Sequence, residues 1–316
     1  MAEARAPICV VSWNVLAHPH TRHNAAFHGH AGPETPAQCE TRYAANQALL
    51  EASGGDFLCL QEADTAFVAR LAPRYAVLCH AVNRSGEGCA ILALRTSGAG
   101  LANRTFKLDL GSGKSAVGVE LLHTGIDTRP TTPIWLVSLH LQGGPGAAPL
   151  QARGEQLAAI CTALSRLTPA SGAGGLPPAV LCGDWNDATP EHLPVVASEA
   201  LQVLPTAGPT GLSADFSATV SIDWVAVSGA AAAAVAVVGW PKIQASCHAS
   251  PLKPHGVVSV FHVPANPWRV PGEAACVPGG GASAPGASAL ALLPVGSDHI
   301  PLFFGLELLH SFATPP

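Results

Sequence analysis

Nine short apolar runs, rich in β-branched and aromatic residues, recur along the chain at 8–13, 56–61, 76–80, 89–94, 117–122, 134–141, 179–184, 221–227 and 301–307. Runs of this length and composition read as strands. Between them, 41–53 (TRYAANQALLEAS) and 149–167 space their apolar residues as amphipathic helices do. The pattern is that of a mixed α/β chain. Its 316 residues suit a single large domain with a core over about 7–308. Segment 241–294 departs from the pattern. It is Pro-punctuated and partly low-complexity (PGGGASAPGASA, 278–289), and it reads as a poorly ordered insertion because strand-like sequence follows it.

The runs end on polar residues of catalytic type. Asn14 closes VVSWN, Glu62 closes DFLCLQE, His140 follows IWLVSL, Asp184 and Asn186 lie in AVLCGDWND, Asp223 lies in SIDWVAV, and Asp298 and His299 precede the final run in GSDHIPL. A strand end brings side chains to the rim of a sheet, where they can converge without burial of an unpaired charge in the core. Taken singly, each has a plainer reading. Asn14 suits a turn, Glu62 and Asp64 suit a helix N-terminus, and Asp184, Asn186 and Asp187 suit a turn before Thr189-Pro190. Jointly those readings explain neither the order nor the accompanying histidines. The set offers carboxylates, carboxamides and imidazoles, with no GxSxG nucleophile. Oxygen-rich donors favour Mg²⁺, with Mn²⁺ as a substitute, over Zn²⁺. Such a metal beside a His/Asp pair and amide donors is suited to attack of water on a phosphate.

Composition limits what the chain can hold. Charged residues are 12% and the formal charge is -5, which argues against nucleic-acid binding through a broad basic face. Nine cysteines, an odd number without a CxxC pair, speak against a disulfide framework and for a reducing compartment. No apolar h-region precedes the first run, and the longest apolar stretch, 225–240, is short, Ala-rich and broken by Gly229. The expectation is an intracellular, cytoplasmic protein without a membrane span.

These motifs, in this order, resemble the endonuclease/exonuclease/phosphatase superfamily with the DNase I-like fold; LQE, GDxN and SDHxPL are jointly specific for it. Within it, WNVLA (13–17), Arg42 ahead of DFLCLQEAD, GEGCAIL (86–92), SLHLQ, CGDWND, IDWVAV and LPVGSDHIPL are similar to the deadenylase-like branch of carbon-catabolite-repressor-type deadenylases, nocturnin, Angel proteins and 2′,5′-phosphodiesterases. The resemblance implies a four-layer αββα sandwich of two mixed sheets flanked by helices, and metal-dependent cleavage of phosphoesters.

The resemblance also assigns roles. Glu62 would ligate Mg²⁺, with Asn14 and Asp298 beside it. Asp184 would activate water, Asn186 would hold the scissile phosphate, His299 would be oriented by Asp223, and His140 would stabilise the transition state. Arg153, Pro145, Trp185 and Phe216 would contact substrate. Two departures bear on that substrate. The family's GDFN is GDWN here, and the base-stacking aromatic five residues before Asp223 is replaced by Ala218, with Phe216 two residues earlier. The expected activity is 3′-5′ exoribonuclease on single-stranded RNA. The alternative is a phosphatase or phosphodiesterase on a small nucleotide, such as a 2′-phosphate of NADP or a 2′,5′-oligoadenylate. A DNA endonuclease and a non-catalytic binding protein rank lower. No recruiting repeat domain is visible. The histidine-rich stretch 18–30 matches no zinc spacing and reads as a solvated loop.

Overall fold

The computed structural model describes residues 8–23, 34–97, 102–122, 133–167, 176–198, 200–204, 210–212, 219–228, 235–239, 299 and 301–308. In chain order the elements are β1 (Ile8–Asn14), α1 (Pro36–Ser53), β2 (Phe57–Asp64), α2 (Thr65–Leu71), β3 (Tyr75–Val82), β4 (Glu87–Leu94), β5 (Ala102–Gly111) and β6 (Lys114–Leu121). Then follow β7 (Ile134–His140), α3 (Ala147–Leu167), β8 (Ala179–Asp184), α4 (Pro194–Ala197), β9 (Leu201–Leu204), a small ladder of β10 (Gly211–Leu212) and β11 (Thr219–Val220), β12 (Asp223–Ser228), β13 (Val235–Gly239) and β14 (Leu302–Leu308).

Two six-stranded mixed sheets organise these strands, in the orders β13-β14-β1-β2-β4-β3 and β5-β6-β7-β8-β12-β9. Parallel pairing of β1 with β2 and of β7 with β8 sits at the middle of each sheet. Their facing surfaces bury Val10, Phe57, Cys59 and Ile91 from the first sheet against Val117, Leu136, Val180, Cys182 and Val225 from the second. Tyr43, Leu50, Phe67 and Leu71 of the first two helices cover the outer face of the first sheet. Leu157, Ile160 and Leu164 of α3 cover the outer face of the second, over Trp135, Leu181 and Trp185. The result is the expected four-layer αββα sandwich. Strands buried on both faces read as continuous apolar runs rather than alternating ones.

Several elements differ from the expectation. The first helix starts at Pro36, where Thr35 and Gln38 form a capping box, rather than at residue 41. In β5 apolar residues alternate with polar ones, so that Phe106, Leu108 and Leu110 pack inward at a sheet edge while the other face meets water. Segment 241–294 lies outside the described residues. The seven cysteines within them are free thiols, and no helix among the described residues is long and apolar enough to cross a membrane.

One polar stitch joins the sheets beneath the strand ends. Gln61 Nε2 of β2 donates to Ser138 Oγ of β7 at 2.9 Å, and Ser138 Oγ donates back to Leu60 O at 3.1 Å. Gly183 of β8 passes the same spot with φ +143°, and a Cβ there would be driven into the Leu139 carbonyl and crowd the Gln61 amide. Gly183→Ala should therefore cost about 3 kcal/mol through backbone strain and overpacking. Urea unfolding would show it as a lowered midpoint; a loss below about 0.5 kcal/mol would mean that the strands have room to separate.

Candidate active site

The strand ends of both sheets open onto one place. Asn14 terminates β1, Glu62 lies near the end of β2, His140 ends β7, Asp184 ends β8 and Asp223 begins β12. Register brings the last three together, since His140 pairs with Asp184 across parallel strands and Asp223 pairs with Asp184 across antiparallel ones. Glu62 arrives from the other sheet at an irregularity in the β2–β4 ladder and carries φ +51°. A non-glycine residue held there is strained, as residues at functional sites often are.

Asn14 ties the two sheets' carboxylates together. Its Nδ2 donates to Glu62 Oε1 at 3.1 Å and to Asp184 Oδ2 at 3.1 Å, and lies 3.5 Å from His299 Nε2. Its Oδ1 accepts the Leu16 N–H at 3.0 Å. Asn14 thus spaces the acids, and the oxygen it would offer a cation is engaged by backbone. The other Glu62 oxygen accepts from Ala17 N at 3.2 Å.

His299 is oriented from two sides. Its Nδ1 lies 2.8 Å from Asp223 Oδ2, and Trp13 Nε1 donates to its carbonyl at 2.9 Å. Its Nε2 then lies 3.7 Å from Asp184 Oδ2. His140 Nε2 lies 3.4 Å from Asp184 Oδ2 and 3.9 Å from Glu62 Oε1. Burial, followed by the positive charges of Lys114, His299 and His20, holds His140 well below the usual imidazole range, so it is neutral. Burial, opposed by His299 and reinforced by Asp223, pushes the Asp184 carboxyl up to about 7.

Among the described residues, three groups of ligand atoms that include these side chains lie within 4.8 Å of one another: Glu62, His140 and Asp184; Asp184, Asp223 and His299; and His20, Glu62 and Glu87. Glu62 and Asp184 face each other across an amide, and Asp223 Oδ1 is buried without a partner. Three carboxylates gathered in this way fit a divalent cation. The raised Asp184 gives a sign to test. Below about pH 7 its proton opposes a nearby cation, and above it the ionised pair of acids favours one. A group with a raised folded pKa stabilises the metal-free fold at low pH and loses that contribution as pH rises through about 7. The gap in melting temperature between Mg²⁺ and EDTA samples should widen from pH 6 to pH 8. Asp184→Asn should flatten it, and a gap constant over that range in the unaltered protein would refute the assignment.

Other expected residues fall elsewhere. Asn186, at φ +52°, sits beside the cluster, with its N–H on Asp184 Oδ1 at 2.9 Å and its Nδ2 on Leu141 O at 3.0 Å. Arg153 does not reach the cluster as a substrate contact. It is buried against Asp187 (Nε to Oδ2 2.8 Å) and donates to Gln142 O and Gly144 O, clamping the loop that exposes Pro145. Trp185 is fully buried on the outer face of the second sheet among Leu157, Leu181 and Leu193, so a substrate contact is corrected there too. Asp298, Phe216 and Ala218 lie outside the described residues.

Two side chains at the rim were not anticipated. His20, on a short 3₁₀ turn (His18–His23), sets Nε2 2.7 Å from Glu87 Oε1, and His18 sits 3.2 Å from Glu34 Oε2. The hydrogen bond to Glu87 raises the His20 pKa. This part of the histidine-rich stretch is therefore built into the rim rather than a solvated loop. Lys114 places Nζ 2.6 Å from His140 Nε2. Neither belongs to a motif; the only sequence signal for Lys114 is the Ser-Gly turn before it.

The sequence profile of the Endonuclease/Exonuclease/phosphatase family matches residues 11–299. No curated protein matches by sequence. Solved structures do. The human nocturnin catalytic domain with bound sulfate is 18% identical with a TM-score of 0.56, covering 96% of both chains. ANGEL2, a 2′,3′-cyclic phosphatase in complex with adenosine-2′,3′-vanadate, is 13% identical with a TM-score of 0.59, again covering 96% of both. A functionally unknown conserved protein from Enterococcus faecalis V583 is 16% identical with a TM-score of 0.59, covering 95% of this chain and all of that one. At such identities the likeness carries the fold alone.

Proposed function

The chain belongs to the endonuclease/exonuclease/phosphatase family and is a metal-dependent phosphoester hydrolase, and from that premise we propose that it degrades single-stranded RNA from the 3′ end, as the deadenylase-like branch does. The observation that carries the hydrolytic reading is the convergence of Glu62, Asp184, His140 and the Asp223–His299 pair from two sheets onto one point. The RNA reading rests on the WNVLA, GEGCAIL and CGDWND motifs.

In this reading Glu62 would hold the cation, Mg²⁺ with Mn²⁺ as substitute, with Asp184 among the residues that could share it. The bound cation supplies neutralisation of phosphate charge. Asp184, held by Asn14 Nδ2 and facing His299 Nε2 at 3.7 Å, would accept the proton of the attacking water. Asn186 holds the phosphate beside it, and His299, aligned by Asp223 Oδ2, presents Nε2 to a phosphoryl oxygen or to the leaving group. Arg153 acts at one remove, fixing the loop that carries Pro145.

A second reading, a small nucleotide such as NADP or a 2′,5′-oligoadenylate, is favoured by the charge-poor composition. At 12% charged residues and a balance of -5, long RNA gains little retention beyond the site. Labelled oligo(A), mixed-sequence RNA and NADP⁺, each with Mg²⁺ or with EDTA, distinguish the two. The expected result is a 3′ ladder of mononucleotides from RNA that EDTA abolishes. Intact RNA together with phosphate release from NADP⁺ would replace the first reading with the second.

A further inference from the structure

The family motifs leave one charged side chain at the site without a task. Lys114 opens β6 directly after the turn Ser112-Gly113, whose φ values of +51° and +77° are those of a tight hairpin that holds β5 and β6 in register. Asn83 Nδ2 donates to Gly113 O at 2.7 Å, tying this turn to the β3–β4 connection, where Asn83 also receives the Ser85 and Glu87 N–H groups. The base of the lysine is thus fixed by two hairpins. Next to it Ser115 pairs with His140, so the lysine stem runs alongside β7 to the strand end.

There its ammonium donates to His140 Nε2 at 2.6 Å. An ammonium has no acceptor, so His140 Nε2 accepts this bond and has no proton to offer the site from that nitrogen. At His140 Nε2 the adjoining positive charge is that of Lys114. Among the described residues no carboxylate oxygen comes within 4.0 Å of that ammonium to form an ion pair. A half-buried cation, aimed by a hydrogen bond and lacking a paired anion, stands next to an atom that is itself 3.4 Å from Asp184 and 3.9 Å from Glu62.

We propose that Lys114 is a catalytic residue that binds the scissile phosphate, its ammonium contacting a non-bridging oxygen while His140 Nε2 aims it. The assignment rests on the phosphoester-hydrolase reading and deepens it: the stabilising charge on the second-sheet side comes from the β5–β6 hairpin and His140 serves as a positioning residue. An ammonium is suited to this as a compact point charge, and its effect is greatest where water is excluded.

The test compares wild-type protein with Lys114→Met and Lys114→Arg in two measurements. Calorimetric titration of Mg²⁺-loaded protein with inorganic phosphate should show binding weakened roughly 10- to 100-fold in K114M, the worth of a hydrogen bond to a charged group, and largely kept in K114R. Hydrolysis of the best substrate should fall by about 10²-fold in kcat/KM for K114M, with K114R recovering part of the loss. Mg²⁺ affinity, measured separately, should hold or tighten, since a positive charge has left. Unaltered phosphate binding in K114M overturns the proposal, as does a Mg²⁺ affinity that falls in step with activity. If the wild type hydrolyses no phosphoester, the broader reading fails, while the phosphate titration still decides the role of Lys114.

Discussion

Glu62→Gln should leave the fold intact and lower hydrolysis at saturating substrate by about 10³-fold, since a cation that neutralises phosphate charge contributes several kcal/mol to the barrier and each 1.36 kcal/mol is a decade in rate. The substitution keeps the shape of the side chain and its acceptor toward Ala17 N, and removes the charge together with the acceptor that Oε1 gives Asn14 Nδ2. Cation binding should weaken in parallel when followed by calorimetry, and circular dichroism should be unchanged. Raising Mg²⁺ should recover part of the loss. A rate within tenfold of wild type at ordinary Mg²⁺ would mean that Glu62 is not a ligand.

Arg42→Met should destabilise the protein by about 3 kcal/mol, the lower end of the cost of breaking a buried ion pair, since among the described residues Glu34 keeps only His18 as a partner. Arg42 is buried in α1 and grips Glu34 with two bonds, Nε to Oε1 at 2.8 Å and Nη2 to Oε2 at 2.9 Å. Its Nη1 donates to backbone, to Val15 O at 3.1 Å and Leu16 O at 2.7 Å. Those residues form the turn after β1 in which Leu16 adopts φ +56° and Ala17 N meets Glu62. Stability and activity should therefore fall together. Combining Arg42→Met with Glu34→Gln should restore much of the stability, because the stranded charge is gone, without restoring the turn. Urea unfolding of the single and double variants measures this; a single-variant loss below 1 kcal/mol would show that water reaches Glu34.

The α/β architecture and the strand-end cluster were legible because both depend on short-range sequence. An apolar run that stops on Glu62 or Asp184 announces a strand and its rim at once. Pairing across the sheets was not legible from spacing alone. The Gln61–Ser138 bond joins residues 77 apart, and only the assembled sandwich explains why a buried glutamine precedes the glutamate. Arg153 and Trp185 show the opposite error. Both sit in or near motifs, yet the helix face and the strand's alternation turn them toward the outer layer, where Arg153 meets Asp187 and Trp185 meets α3. Lys114 and His20 escaped notice because each reaches the site from a turn. Their function-bearing contacts, to His140 and Glu87, lie across elements that sequence does not place side by side. In β5 the charged residues of the wet face hid an alternation that was present.

Among the described residues, the last strand in chain order is not at an edge. β14 lies between β13 and β1, with His299 just ahead of it. A chain emerging from the ribosome can assemble the second sheet, and the β1–β2–β4–β3 part of the first, long before residue 299 is made. Until β14 arrives, β1 has an open flank and Asp223 has no imidazole to align. Hydrolytic competence thus waits on residue 299 and β14, the site elements latest in chain order.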